Sequence, residues 1–287
     1  MRNAFDREIP EIRDIVKDGV ARDYIDKYLT QLLQSLDIDD AEQAIDDVLR
    51  IAAEHGEFSK LDEYEQRAHE VIEKTGACEI ISERLSNRAE LIYSQIKDHI
   101  EGQKVLDYGC GDGKVGELIS RSGLEVTLSD IYKHGHIDET GLKFEPLVEG
   151  DPAPIEGGYD TTLLLTVKHH AEDPMQVLRD AKRLTKKGGR MIVIESVIGI
   201  DDKTEFGQLS HEDQWKVNVF FDHFYNRVIH YNADPSMKVK VPWNLNTQDG
   251  WRARYEAEGL KLEKVIRLGI DQALVPEYHD CYVLRVA

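Results

Sequence analysis

From about Ala21 to Ile100 apolar residues recur three and four positions apart, as in Tyr24, Tyr28 and Leu32 and again in Ile45, Val48, Leu49 and Ala52. That is the period of helices that bury one face. Asp37 to Asp40 offers N-cap candidates, His55-Gly56 reads as a helix C-terminus and Gly76 as a further break, so several separate helices are expected. After Gly102 the texture changes. The apolar runs KVLDYG, EVTLSD, LKFEPLV, YDTTLLLTV and RMIVIESV alternate with helical stretches such as Lys114 to Ser122 and DPMQVLRDAKRLTKKGG, the latter expected to close at Gly188-Gly189. Strands alternating with crossover helices predict an α/β chain with a parallel sheet. RMIVIESV is apolar enough to be buried on both faces. The last two runs, LKLEKVIRLGI and DCYVLRVA, are joined by a loop without room for a crossover helix, which predicts an antiparallel hairpin at the C-terminal end. The expected organisation is a helical N-terminal region over residues 1–84 and an α/β domain over 85–287. That domain carries an insertion at 199–250 rich in aromatic residues, His and Asn, the expected seat of substrate specificity.

Composition narrows the class without changing this picture. A chain of 287 residues with 41% hydrophobic and 32% charged residues has ample material for a core and is expected to fold as a soluble globular protein. Acidic residues outnumber basic ones by 55 to 36, a formal net charge of -19, which opposes approach to a phosphate backbone, so no nucleic-acid partner is expected. Cys78, Cys110 and Cys281 are odd in number, far apart and without CxxC spacing. Neither a disulfide framework nor a thiolate metal site is indicated, and a reducing cytoplasm is the expected compartment. The N-terminus is charged throughout and no apolar run approaches the ~18 residues of a membrane span, so no membrane partner is expected.

Candidate chemistry begins at the first strand of the α/β region. Val105 and Leu106 lead into Gly109-Cys110-Gly111-Asp112-Gly113 and then a helix, a turn in which glycines let bare backbone approach a ligand. Asp130, seventeen residues after Gly113, ends the next strand, where its carboxylate can accept both ribose hydroxyls of an adenosine. Gly111, Gly113 and Gly116 also satisfy the GxGxxG pattern of dinucleotide-binding folds. Asp107, two residues before the first glycine, tilts the choice, because its charge repels a pyrophosphate and attracts the ammonium of a methionine moiety.

The segment DYGCGDG resembles the acidic-x-Gly-x-Gly-x-Gly motif of class I S-adenosylmethionine-dependent methyltransferases, and the later elements over roughly residues 85 to 287 fall in that family's order. The resemblance implies a Rossmann-like sheet of seven strands, mostly parallel, ending in an antiparallel hairpin, with S-adenosyl-L-methionine as cofactor. By position it implies that Asp107, Gly109, Cys110 and Gly111 line the methionine end and that Asp130 holds the ribose. It further implies that Ile131 packs on the adenine, that Asp151 in EGDPAP binds its amine, and that backbone near Thr166 touches the methionine part.

Methyl transfer from a sulfonium is a displacement that mainly requires alignment and, for some acceptors, a base. TVKHHAEDP places His169 and His170 after the fourth strand, and His is the side chain most readily tuned as a base near neutrality. Adjacent residues are expected to point apart, so one of the two at most is the base. In WKVNVFFDHFYNRVIHYN, Val217, Phe220, Phe221, Phe224 and Val228 form an apolar stripe, bordered by His223, Asn226, Arg227 and His230. That border is a candidate anchor for a carboxylate or other polar substrate group, with His223 a third candidate catalytic histidine. His170, His223, His230 and His279 could also converge with Glu195 or Glu277, but no spacing demands a metal and none is expected. The Asn/Asp-Pro-Pro-Tyr/Phe motif of base- and glutamine-directed methyltransferases is absent from this position. The resulting expectation is methyl transfer to a small-molecule acceptor, the atom being oxygen, nitrogen, sulfur or carbon. The helical N-terminal region would act as a cap or as the contact of a homodimer. The competing expectation is a cofactor-binding regulatory or interaction module without turnover.

Overall fold

The computed structural model describes residues 1–235, 238–270, 274 and 276–287. It divides the chain into two compact units, one of Met1–Ser86, Val197–Leu245 and Ile270–Tyr278, the other of Asn87–Ser196, Asn246–Gly269 and His279–Ala287. The N-terminal helices and the expected insertion are therefore one body, since both feed a common hydrophobic interior. Among the described residues no helix is long and apolar enough to cross a membrane.

In chain order the helices are α1 (Ile12–Ile15), α2 (Gly19–Ser35), α3 (Ala41–His55), α4 (Leu61–Lys74), α5 (Ala77–Ser86), α6 (Arg88–Ile96), α7 (Lys114–Ser120), α8 (Gly135–Thr140), α9 (Pro174–Leu184), α10 (His211–His223) and α11 (Gln248–Ala257). The first unit holds α1 to α5 and α10. Asp18 caps α2 by accepting the N–H groups of Val20 and Ala21. The buried row Ala21, Ile25, Leu29, Leu32 and Leu33 of that helix and the row Ala44, Ile45, Val48, Leu49 and Ala52 of α3 are the stripes that periodicity predicts. Asp40 occupies the N-cap position of α3 in a left-handed conformation (φ 56°) without a side-chain cap bond.

Gly56 ends α3 as expected, but with φ -76° it is not there for left-handed freedom. A Cβ at Gly56 would lie 2.4 Å from the Ala52 carbonyl oxygen and 2.7 Å from the Arg13 amide nitrogen, where the Gly56 carbonyl also accepts the Arg13 N–H at 3.0 Å. Backbone cannot give way as a side chain can. Gly56→Ala is expected to destabilise the protein by about 2 kcal/mol, visible as a melting point lower by several degrees; an unchanged melting point would show that α1 and α3 do not meet there.

The second unit is built on a sheet whose strands are β1 (Lys104–Tyr108), β2 (Glu125–Asp130), β3 (Lys143–Pro146), β4 (Tyr159–Leu165), β5 (Thr185–Ile198), β6 (Asn246–Thr247), β7 (Leu260–Gly269) and β8 (His279–Val286). Seven of them run in the order β3-β2-β1-β4-β5-β8-β7, and the two-residue β6 pairs with β5 off that path. β1 to β5 are parallel and β8 is antiparallel to both β5 and β7, the expected Rossmann-like arrangement with its C-terminal hairpin. Its core gathers Ile92 and Ile96 of α6, Ile119 of α7, and Val105, Val126, Leu128, Leu163, Leu165, Ile192 and Ile194 of the central strands. α9 ends at Leu184 rather than at the glycine pair, and Gly188-Gly189 falls inside β5. The β-branched Thr185 leaves helical geometry, and its hydroxyl donates to the Ala181 carbonyl at 2.7 Å.

Candidate functional site

The C-terminal ends of β1, β2 and β4 converge on the glycine-rich turn. Gly109 and Cys110 leave β1 with both N–H groups donated to the Ser129 carbonyl, at 2.7 and 3.0 Å, which folds the turn over the end of β2. Gly109 has φ 75°, and a Cβ there would lie 2.6 Å from the side chain of Val167. Glycine is thus required twice over, by conformation and by the close approach of the turn that follows β4. Asp130 accepts the Gly111 N–H on Oδ2 at 2.8 Å and the Tyr132 N–H on Oδ1 at 3.2 Å. Those bonds oppose the burial that raises its pKa.

Asp107 is the most stressed group of this turn. It is 2% exposed and, among the described residues, its Oδ2 has no partner with hydrogen-bond geometry, the nearby Gly116 backbone N–H only moderating its charge. Burial, helped by the nearby charge of Asp130, pushes its pKa up to about 7. A buried carboxylate without a counter-ion is costly, and the chemistry that relieves it is a cation. The glycine turn, this orphaned carboxylate oxygen and Asp130 fit S-adenosylmethionine, which presents an ammonium and two ribose hydroxyls. Ile131, 44% exposed at the end of β2, and Asp151, exposed in the turn after β3, lie on the strand ends where the adenine contacts are expected.

The turn after β4 carries the second half of the site. Thr166 adopts a left-handed backbone (φ 58°) and is held by its N–H to the Ile194 carbonyl at 2.8 Å. Lys168 to His170 then form one 3-10 turn. Glu195, fully buried on β5, grips this turn with both oxygens. Its Oε1 accepts the Lys168 backbone N–H at 2.8 Å and its Oε2 meets His169 Nδ1 at 2.9 Å. Because a carboxylate only accepts, the His169 proton sits on Nδ1, and Nε2 carries the lone pair a base needs. The rings of His169 and His170 lie 4.0 Å apart, tilted by 47°; the tight turn brings these neighbours together, contrary to the expectation that they diverge.

Lys168 is fully buried. Its Nζ donates to the Tyr255 hydroxyl at 2.7 Å and lies 3.7 Å from the centre of the Trp251 ring and 4.4 Å from that of Tyr255. Burial lowers its pKa to about 7, while the charge of Glu195 works in the opposite direction, as do the ring faces. Lys168 thereby ties α11 to the turn that carries His169. Neither Lys168 nor Glu195 was an expected site residue, except Glu195 as a metal-ligand candidate. The signal available was a lone carboxylate inside the apolar run RMIVIESV.

His223 lies in the other unit and in a different setting. It is 2% exposed, between the rings of Tyr64 and Trp243 at centroid distances of 5.7 and 5.8 Å, with Nε2 3.3 Å from Glu65. Burial lowers its pKa, against the pull of Glu65. The charge of Glu65 is also met by Arg227 and Lys238, each 2.9 Å away. Burial alone would raise the Glu65 pKa, but the contact with His223, followed by those with Lys238 and Arg227, outweighs it and holds it at about 2. Asn226 donates to Asp222, at 2.9 Å to Oδ1. The expected polar edge is thus consumed internally: its guanidinium is paired, and from Phe224 to Ile229 the chain winds as a π-helix, which breaks the regular spacing assumed for that edge.

Comparison with known proteins agrees with this geometry. A family model described as a methyltransferase domain matches residues 41–238. Relatives include the ubiquinone biosynthesis O-methyltransferase of Maricaulis maris (strain MCS10), 39% identical over 105 residues that cover 32% of this chain and 40% of that protein. The protein of the same description from Vibrio parahaemolyticus serotype O3:K6 (strain RIMD 2210633) is 34% identical over 103 residues, covering 33% and 44%. The chain thus spans less than half the length of these two relatives. Among solved structures, geranyl diphosphate C-methyltransferase from Streptomyces coelicolor A3(2) superposes with a TM-score of 0.50 at 14% identity, covering 74% of this chain and 84% of that one, a likeness of fold. With a family match over more than half its length and a sheet of the corresponding order, the chain belongs to the methyltransferase domain family.

Proposed function

We propose that the protein transfers the methyl group of S-adenosylmethionine to a hydroxyl oxygen of a small-molecule acceptor, with His169 as the base. The observation that carries this reading is the buried Glu195–His169 pair at 2.9 Å on the turn whose Val167 packs against the glycine turn at Gly109. The printed descriptions of the relatives, O-methyltransferases of ubiquinone biosynthesis, favour oxygen over the other acceptor atoms. When bound, the cofactor supplies an electrophilic methyl on a sulfonium. The residues of this chain do the rest. Asp107 pairs with the ammonium, Asp130 takes the ribose hydroxyls in place of its present N–H partners, and Ile131 and Asp151 hold the adenine. The backbone at Cys110, Gly111 and Thr166 flanks the methionine chain. His169 Nε2 removes the hydroxyl proton as the oxygen attacks, and Glu195 stabilises the resulting imidazolium. His170, its ring tilted against that of His169 at 4.0 Å, positions that ring.

Calorimetry with S-adenosylmethionine and S-adenosylhomocysteine, followed by transfer of labelled methyl to a panel of phenols, amines and thiols, tests this reading. Micromolar binding and label on phenols are expected. Binding of neither cofactor form, or label on amines or thiols alone, would overturn it.

A further inference from the structure

α10 is buried nearly all round, yet one row of it is polar. Gln214, Asn218 and Asp222 follow at four-residue spacing, so the three share one face, and Tyr225 stands just beyond them at the start of the wider π-helical winding. Gln214 is fully engaged. Its Oε1 accepts the N–H groups of Gly199 and Ile200 at 2.9 and 2.8 Å, and its amide donates to the Ile200 carbonyl at 2.6 Å. Asp222 Oδ1 accepts from Asn226. Asn218 differs: it has no exposure, and among the described residues neither its amide nitrogen nor its oxygen has a hydrogen-bond partner. The Tyr225 hydroxyl, on a side chain 8% exposed, likewise has none. Burying an amide and a phenol this way lowers the stability of the protein alone, which is tolerated where a ligand completes the bonds.

The surroundings limit what that ligand is. Three cations of this segment are already paired: His211 with Asp201 at 3.1 Å, Lys216 with Asp18 at 2.7 Å and Arg227 with Glu65 at 2.9 Å. The ionisable groups felt by the Tyr225 hydroxyl are Tyr28 and Glu277, neither of them positive. Among the described residues these surroundings suit a neutral group better than a phosphate or carboxylate. Aromatic side chains flank the row, Phe224 edge-on to Tyr225 at 5.7 Å and Phe221 edge-on to Tyr28 at 5.4 Å.

We propose that Asn218 and Tyr225 form a binding site within the helical unit for the uncharged hydrogen-bonding group, hydroxyl or carboxamide, of an aromatic molecule. Taking that molecule to be the methyl acceptor rests on the methyl-transfer reading; the site itself does not.

The test uses the full chain with Asn218→Leu and Tyr225→Phe, which keep the branched shape and the ring of the residues they replace. Thermal melting is followed without ligand, and binding of catechol, benzamide and benzoate is measured by calorimetry with S-adenosylhomocysteine present. Both variants are expected to melt at the same temperature as the unsubstituted protein or higher. They should bind catechol and benzamide at least tenfold more weakly, with S-adenosylhomocysteine affinity unchanged, and benzoate should bind least well to the unsubstituted protein. Melting points lower by several degrees in both variants would mean that the two groups hold the fold together, and would overturn the proposal. Failure of the unsubstituted protein to bind catechol and benzamide, or a preference for benzoate, would do the same. Loss of the methyl-transfer reading would instead appear as no S-adenosylhomocysteine binding by the unsubstituted protein, a result the melting points and probe affinities do not depend on.

Discussion

Between pH 6 and pH 7.5, S-adenosylmethionine is expected to bind roughly tenfold more tightly as the pH rises, and Asp107→Asn should abolish most of that gain. The sign follows from Asp107. Burial and the nearby charges of Asp130 and Asp112 raise its pKa from 3.8 to about 7, so at pH 6 most molecules carry a neutral carboxyl that cannot pair with an ammonium. Ionisation on passing pH 7 creates the partner. An α-amino group loses its own proton at about pH 7.7–8.0, which is why the window closes at 7.5. Stability of the free protein should move oppositely. A carboxyl whose folded pKa lies above its unfolded one binds more protons when folded, between about pH 4 and pH 7, so this contribution to stability falls as the pH rises through that window. Asp107→Asn should therefore flatten the fall while weakening cofactor binding at pH 7.5. Calorimetric titrations and melting curves across the range check both limbs. A pH-independent affinity in the unsubstituted protein, or an unaltered slope in the variant, would remove Asp107 from the ammonium site.

Much of this turn is legible in the local sequence. KVLDYGCGDG places strand, glycines and acid within ten consecutive residues, and local order of that kind survives folding because one strand, one turn and one helix define it. Asp130 is also within reach of such reasoning, since it closes the very next strand. Glu195 is not. It meets His169 because β4 and β5 lie side by side with Leu165 opposite Ile194, a register that hydrophobic patterning in two largely apolar runs does not specify. Lys168 is harder still: a charged residue in a His-rich turn reads as solvated, and only the approach of Trp251 and Tyr255 from a distant helix makes it a buried cation. Residues 199–250 mislead for a different reason. Their aromatic and His content marks a special segment, but helical spacing fails from Phe224 onward where the winding widens. Carboxylates supplied by α4 then take up the guanidinium expected to be free.

His169→Ala is expected to lower the transfer rate by about 10²–10⁴-fold while leaving S-adenosylmethionine affinity within about twofold, because the imidazole removes a proton in the transition state and contributes nothing to holding the methionine chain. Glu195→Gln separates the electrostatic part of this pair from its structural part. Glutamine keeps an oxygen for the Lys168 N–H, so the turn is retained, but it lacks the charge that stabilises the imidazolium 2.9 Å away, and its NH2 donates to Nδ1, which moves the His169 proton to Nε2. A carboxylate partner raises a histidine pKa and its loss lowers it. The acid limb of the rate profile, where the base becomes protonated, should consequently move to lower pH in Glu195→Gln, with a rate on the plateau reduced because the base is weaker and its neutral form is held with the proton on Nε2. A residue that only braced the turn would behave otherwise. Its replacement would loosen cofactor binding through Val167 and Gly109 and leave the acid limb in place. An acid limb unmoved in Glu195→Gln, or one that persists unchanged in His169→Ala, would therefore exclude His169 as the base and direct attention to its neighbour His170.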